Sequence, residues 1–347
     1  MNKSFGIGFA LSLVGVVVVT LLGVSMLFTA GWTRPPLAVQ QMGFRGTAQD
    51  QIKSKAEIAA LQFANRLPPA PEPASAEGER ATQAYQNVQV LTDLSADQFN
   101  RLMLAITDWV SPEQGCAYCH NVENLADDNI YTKRVARQML LMTRQINNDW
   151  KSHVADTGVT CYTCHRGQPV PKDVWSKNPG GPHAGGMAAQ TPLVGHPSKA
   201  GGSTAMNLDP FSAYLKGNAP IRVESRQALP VDKGVSIPAT ENTYSLMMHM
   251  SQGLGVNCVF CHNSRNFSDW SQSMPQRTVA WHGLNMVREI NVKHIEPLGT
   301  VLPPNRLGIM GDAPGVNCAT CHQGASKPLL GVSQAKDFPE LRGVAAK

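Results

Sequence analysis

The sequence predicts a mainly α-helical fold with extensive loops, arranged as two pseudo-symmetric halves behind an N-terminal transmembrane helix. Three observations predict it. Cys-x-x-Cys-His occurs four times, at Cys116–His120, Cys161–His165, Cys258–His262 and Cys318–His322. Each copy follows a stretch with apolar residues at helical spacing. Near the N-terminus, no charged residue occurs from Ser4 to Thr33, and Phe5–Trp32 is strongly apolar.

All 8 cysteines lie in the four motifs. Two thiols three residues apart can form thioethers with the two vinyl groups of one haem, and the adjoining histidine then reaches the iron. The pattern is that of c-type haem attachment, and four covalently bound haem c groups are expected, on Cys116, Cys119, Cys161, Cys164, Cys258, Cys261, Cys318 and Cys321. A zinc site would not explain a histidine after every second cysteine. A disulfide framework would not explain the uniform spacing.

The anchor is expected over residues 1–33. Its apolar run is long enough to cross a bilayer, whereas a secretory signal has a shorter apolar core and a small-residue cleavage site. Trp32 is expected at the interface. Lys3 on one side and Arg34 and Arg45 on the other give little orientation signal, so orientation rests on the haem motifs, which place the globular part in the periplasm. The chain carries a net charge of +5 and no long basic run, which argues against a nucleic-acid partner. With 24 prolines and 30 glycines, many loops are expected.

Residues 34–94 form a lead-in rich in Pro, Ala and Gln, predicted to be extended with one helix near 48–66. The first dihaem half spans 95–171. Ser95-x-x-Gln98 is a capping-box signal, and Phe99, Leu102, Met103, Ile106 and Val110 follow on one helical stripe. Val135, Met139, Met142 and Ile146 mark a second helix over 130–153. Residues 172–239 lose periodicity, and Pro179-Gly-Gly-Pro182, Gly185-Gly186 and Gly201-Gly202 mark a loop-rich connector. The second half spans 240–328, with helices opening near Thr240 and at Pro275. Residues 329–347 form a C-terminal segment. Gly-Val-x-Cys recurs at Gly158, Gly255 and Gly315, which suggests internal duplication.

His120, His165, His262 and His322 each supply one axial ligand. Met103, Met139 and Met247 lie on the helices before the first three motifs and are candidates for the opposite side, with Met142, Met248 and Met250 as rivals. Methionine ligation raises a haem potential. In the fourth unit Met286, His282 and His294 lie at no matching distance from Cys318, and Met310 lies in a Pro/Gly-rich loop. His153 is 14 residues after Met139. On a continuous helix the two would lie about 21 Å apart, so one helix could serve two haems, with His294 as the alternative. An acidic group near the first motif, Glu113, Glu123, Asp127 and Asp128, is either a solvated loop or a docking surface for a basic redox partner.

At this point the chain resembles the tetrahaem cytochrome subunit of the purple-bacterial photosynthetic reaction centre, over roughly residues 90–345. The resemblance rests on the methionine helices, Cys258-Val-Phe-Cys-His-Asn263, Pro275-Gln-Arg277 with Ala280-Trp281, Cys318-Ala-Thr-Cys-His-Gln-Gly324, Lys327-Pro328-Leu329 and Phe338-Pro-Glu-Leu341. It implies axial pairs Met103–His120, Met139–His165, Met247–His262 and His153–His322, with Arg277 raising the potential of the third haem. It also implies a near-linear wire in which the third haem lies nearest the bacteriochlorophyll special pair on the core subunits, followed by the fourth, second and first. A soluble cytochrome c or a high-potential iron–sulfur protein would be the donor, and a light-harvesting ring a further neighbour of the anchor. Several members of that family carry an acylated N-terminal cysteine. This chain has no cysteine before Cys116, so attachment is expected to depend on the helix at 5–32.

The leading reading is therefore an electron-carrier subunit and not an enzyme, since six-coordinate iron leaves no position for a substrate. A membrane-anchored quinol dehydrogenase shares the anchor and haem count, and sensitivity to a quinol-site inhibitor would favour it. A multihaem reductase needs a five-coordinate haem, which carbon monoxide binding would reveal.

Overall fold

The computed structural model describes residues 3–29, 37–44, 46, 48–177, 209–221 and 237–343. Trp32, most of the connector, including its Gly/Pro clusters, and the last four residues lie outside them. The chain divides into two units, one of residues 1–40 with 52–60 and the other of residues 41–51 with 61–347.

The first unit is built on α1 (Lys3–Thr29). Its 22-residue stretch Gly8–Thr29 has a mean hydropathy of 2.5 and is long enough to cross a bilayer. Val16, Val19, Leu21, Leu22 and Leu27 are exposed, an arrangement that suits lipid rather than water. The hydroxyls of Ser12, Thr20 and Thr29 donate to the carbonyls four residues back, Gly8, Val16 and Ser25. That removes the cost of carrying a hydroxyl into hydrocarbon.

The lead-in is more structured than its composition predicts. β1 (Leu37–Met42) and β2 (Gln49–Ser54) pair as a two-stranded sheet, and the helix expected near 48–66 starts only at Lys55, as α2 (Lys55–Ala64). Gly43 and Gly46, both with φ positive, turn the chain between the strands. After a short α3 (Ala81–Ala84) comes α4 (Ala96–Val110), capped as expected: Ser95 Oγ accepts from Gln98 N, and Gln98 Oε1 accepts from Ser95 N.

The predicted helix over 130–153 is broken. α5 (Tyr131–Asp149) ends at Trp150, whose backbone at φ −108° and ψ 32° is not helical, and α6 (Lys151–Val154) is a separate turn. His153 is therefore not carried on the axis of the Met139 helix. The indole Nε1 of Trp150 donates to Glu289 Oε2 at 2.9 Å, which ties the break to the helix of the fourth unit. The motif turns α7 (Cys161–His165) and α10 (Cys318–His322) bracket α8 (Ile237–Leu254) and α9 (Gln276–Ile290).

Two apolar clusters hold the second unit. One gathers Leu91, Leu94, Leu102, Trp109, Phe338 and Leu341 around α4. The other joins Ile146, Leu246, Leu284, Val287 and Ile290 to Phe211, Tyr214 and Leu215. The last three belong to the predicted loop connector, so its described part 209–221 is core. The run is too short to show a period.

Buried polar groups fix how the segments meet. Proline-rich backbone has free carbonyls and few N–H groups, and Arg101 exploits this. Its guanidinium donates to the carbonyls of Pro71, Glu72 and Asp337 at 2.7–2.9 Å and pairs with Glu340 at 3.3 Å. Asn147 donates from Nδ2 to the carbonyls of Val159 and Leu341 and accepts from Val159 N at 2.7 Å. Asn291 repeats this with Val316, accepting from its N–H at 2.8 Å and donating to its carbonyl at 2.9 Å. Gly158, at φ +62°, follows from the same contact, because a Cβ there would lie 2.4 Å from Ala335 Cβ and 2.9 Å from Asn147 Oδ1. Asn147→Ala leaves one N–H and two carbonyls buried without partners. It is expected to cost about 2–4 kcal/mol, read as a lower denaturant midpoint of the holoprotein.

Candidate haem-binding sites

The four motifs fold in two ways. The first and third form short 3₁₀ turns, Gly115–Tyr118 and Cys258–Phe260. Each is followed by an asparagine loop in which Asn121 bridges Asn124 and Asn263 bridges Asn266. The second and fourth form the α-turns α7 and α10, opened by capping boxes at Thr160 and Asn317 and closed by left-handed Arg166 and Gln323.

Every motif histidine donates its Nδ1 hydrogen to a backbone carbonyl. His120 bonds Leu125 O at 3.0 Å and His262 bonds Phe267 O at 3.0 Å, five residues on. His165 bonds Gln168 O and His322 bonds Ala325 O, both at 2.9 Å and three residues on. His153 does the same across the fold, to Val279 O at 2.9 Å. Fixing the proton on Nδ1 leaves Nε2 as the lone-pair nitrogen, as a metal ligand requires. Burial lowers His153, His165 and His262 below the ordinary histidine value and brings His322 to about 4. All four are therefore neutral, which is the ligating form.

The His153 and His322 rings meet edge to face, at an interplanar angle of 63° and with centroids 6.1 Å apart. Two imidazoles on opposite sides of one metal, each bonded at about 2 Å, hold their centroids about 6 Å apart. The rival His294 has neither nitrogen free: Nδ1 accepts from Gln138 Nε2 at 2.8 Å, and Nε2 donates to Gln145 Oε1 at 2.6 Å. Met310 is exposed, and Met286 is buried.

Met139, His153, Cys161, His165, Cys318 and His322 line one continuous cavity, walled mainly by Val, Leu, Ile, Met and Pro side chains. Such a lining fits a porphyrin face. Burial pushes the thiols of Cys161 and Cys318 up to about 12. Met103 and Met139 sit alike on their helices, and each has its carbonyl capped by a threonine hydroxyl one turn on, Thr107 and Thr143, at 2.9 and 2.8 Å. Met247 is half-buried on α8. α8 closes on the fourth motif through Gly253, where a Cβ would lie 3.1 Å from Ala319 N.

The side chains of Cys164 and Cys321 come together, with Cα atoms 4.5 Å apart, because α7 and α10 pack against each other. Thioether attachment would use one of these sulfurs at the second motif and the other at the fourth.

Two charged sites bear on the sequence reading. Arg277 donates to Asp269 O at 3.1 Å and Ser273 Oγ at 2.7 Å, stacks 4.0 Å from the Trp270 ring, and lies close enough to Cys261 and His262 to perturb both. Its counterpart at the first motif, Lys133, was not singled out in the sequence. Lys133 Nζ donates to Leu125 O and Asp127 O at 2.9 Å, so the carbonyl that orients His120 also receives a cation. Lys133 further pairs with Asp128 at 3.1 Å. Asp128 also pairs with Arg137 at 2.9 Å, and the Arg137 guanidinium holds its carboxyl well below the usual carboxylate range. In the acidic group, Glu113 and Glu123 are exposed, Asp127 caps Asn129, and Asp128 is neutralised by Lys133 and Arg137 of α5.

Helical elements that present Cys-x-x-Cys-His turns to an apolar cavity, with each histidine tautomer fixed from behind, define a c-type cytochrome. The chain belongs to the photosynthetic reaction centre cytochrome c subunit family, whose model matches residues 33–342. It is 45% identical to the reaction center cytochrome c subunit of Rubrivivax gelatinosus over 322 residues, 91% of this chain and 87% of that one. The subunits of Thermochromatium tepidum and Roseobacter denitrificans are 44% and 40% identical, over 92% and 95% of this chain and 78% and 92% of theirs. Membership implies covalently bound haem c, association with reaction-centre core subunits and electron transfer to the reaction centre.

The His294 bridge yields a pH dependence. Burial holds its folded value below the ordinary one. Its contribution is therefore present above about pH 6.5 and is lost as pH falls toward the folded value, because a protonated Nδ1 can no longer accept from Gln138. Protection factors of the α5 amides around Gln138 and Gln145, taken after correction for the intrinsic pH dependence of amide exchange, are expected to be lower at about pH 5 than at about pH 7, and His294→Gln should flatten that difference.

Proposed function

We propose that this chain carries four haem c groups as two duplicated dihaem halves and relays electrons from a soluble periplasmic donor to the oxidised special pair. Bound haem would supply a one-electron iron couple at each motif. The axial pairs in this reading are Met103–His120, Met139–His165, Met247–His262 and His153–His322. The observation that carries it is the tautomer-fixed pair His153 and His322, set at the separation of two ligands of one iron. The duplication is supported by the pairing of motif geometries, first with third and second with fourth, and by the matched Asn147 and Asn291 bridges.

The residues around each iron have separate tasks. The cysteines would hold the macrocycle through thioethers, the histidines would enter through Nε2, and the apolar lining around the second and fourth motifs would keep water from the metal. Two axial ligands per iron leave no position for substrate, so this reading has no catalytic residue. The contact of α7 with α10 supports neighbouring second and fourth haems, in a wire ordered third, fourth, second, first. Lys133 and Arg277, beside the first and third motifs, favour the reduced iron by adding positive charge. The haem domain lies on the periplasmic face, held by a single crossing of α1 and seated on the core subunits, with a light-harvesting ring as a further neighbour of the anchor. A soluble cytochrome c or high-potential iron–sulfur protein docks at the first haem through Glu113, Glu123 and Asp127, while Asp128 holds the loop.

Flash-induced absorbance in the haem α-band of native membranes tests the role. Haem oxidation kinetically matched to special-pair re-reduction is expected, whereas no light response in photochemically active membranes would shift the reading to a quinol dehydrogenase. The docking surface has its own test. Reversing Glu113 and Glu123 to lysine should slow the donor on-rate about tenfold at low salt, and high salt should abolish the difference.

A further inference from the structure

We propose that Gly283 decides the ligand of the fourth haem: it leaves empty the helix position that carries Met139 in the second unit, and the His153 ring occupies that space. The proposal rests on the His153–His322 assignment above and adds the residue that makes it possible.

α5 and α9 carry the same buried pattern. Leu140, Ile146 and Asn147 on α5 correspond to Leu284 and Ile290 on α9 and to Asn291 directly after it, at identical spacing, and all six are buried. The two asparagines make the same reciprocal bonds to the valine of their Gly-Val-x-Cys turns. In this register Met142 corresponds to Met286 and Met139 corresponds to Gly283. α4 and α8 match with the same offset: Met103 corresponds to Met247, and the fully buried Leu102 to Leu246. The first and third helices thus share a methionine at one position, whereas at the position matched between the second and fourth helices the second has Met139 and the fourth has Gly283.

Glycine inside a helix is unfavourable without a packing reason. Gly283 has one. A Cβ built on Gly283 would lie 2.4 Å from His153 Cε1, 2.7 Å from Nδ1 and 2.9 Å from Nε2. No real side chain tolerates those distances, so the imidazole lies flat on bare helix backbone. The Val279 carbonyl, one turn earlier on α9, holds its Nδ1 hydrogen. The break at Trp150 turns α6 toward α9, and Trp150 is fastened there through Glu289. The same register separates Met139 from its rival Met142. The position that changes when the ligand changes is 139/283, whereas 142/286 keeps methionine in both helices.

The test uses Gly283→Met and Gly283→Ala in membranes holding the assembled complex. Electron paramagnetic resonance, the near-infrared methionine-to-iron charge-transfer band and a redox titration are the readouts. Gly283→Met should convert the fourth haem from bis-histidine to methionine–histidine. The charge-transfer intensity then grows from three haems to four, and the fourth midpoint rises. Gly283→Ala supplies only the clashing Cβ and is the better helix former, so it keeps the test alive if the methionine variant does not accumulate. It should remove the bis-histidine signal and open the fourth ferrous haem to carbon monoxide. Retention of the wild-type bis-histidine signal and midpoint in the variants that assemble would overturn the proposal. A His153→Ala control separates it from its premise. If His153→Ala keeps the bis-histidine signal, or if the wild type never shows one, the ligand assignment itself fails and the proposal falls with it.

Discussion

Each motif histidine is held from behind by a backbone carbonyl, and much of the second unit exists to keep those carbonyls in place. A free imidazole can carry its proton on either nitrogen and can rotate. A ligand must do neither, so the loop after every motif has to deliver a carbonyl to Nδ1 at hydrogen-bond distance. Two solutions occur, at three residues and at five, and each dictates a loop shape. The three-residue form needs a left-handed residue directly after the histidine, supplied by Arg166 and Gln323. The five-residue form needs the asparagine bridge and is braced by a cation, Lys133 or Arg277.

The walls of the cavity face a related constraint. An apolar space between helices would collapse if packing alone set the helix positions. Buried polar bridges set them instead. Asn147 on α5 and Asn291 directly after α9 pin the Gly-Val turns, His294 in the turn that follows α9 holds α5 through Gln138 and Gln145, and Arg101 fastens the lead-in and the C-terminal segment to α4. Each bridge ends on backbone or on a fully used ring, so none competes for the iron. This separates His294 from His153: both are histidines near the cavity, but one is committed at both nitrogens.

The helices that carry ligands also show how a repeat is diversified. Matching positions on α5 and α9 keep their core and their asparagine, and differ where the ligand would sit. A single missing side chain there gives room for a group from a neighbouring turn.

The sequence by itself determined the chemistry and most of the helical frame. Cysteine and histidine spacing is local, so four haem motifs were legible, as were the Ser95 cap, the start of α9 at Pro275 and the length of α1. The methionine stripes were legible because a helix repeats its face over a few residues. Only the tertiary structure decided what depends on distant segments. The 37–54 strand pair and the buried run Phe211–Leu215 have patterns too short to show a period. The break at Trp150 depends on Glu289, 139 residues away. The meeting of His153 with His322, the approach of Cys164 to Cys321 and the brace at Lys133 depend on which surfaces pack together. Burial and partnership are properties of that packing, and a linear pattern does not carry them.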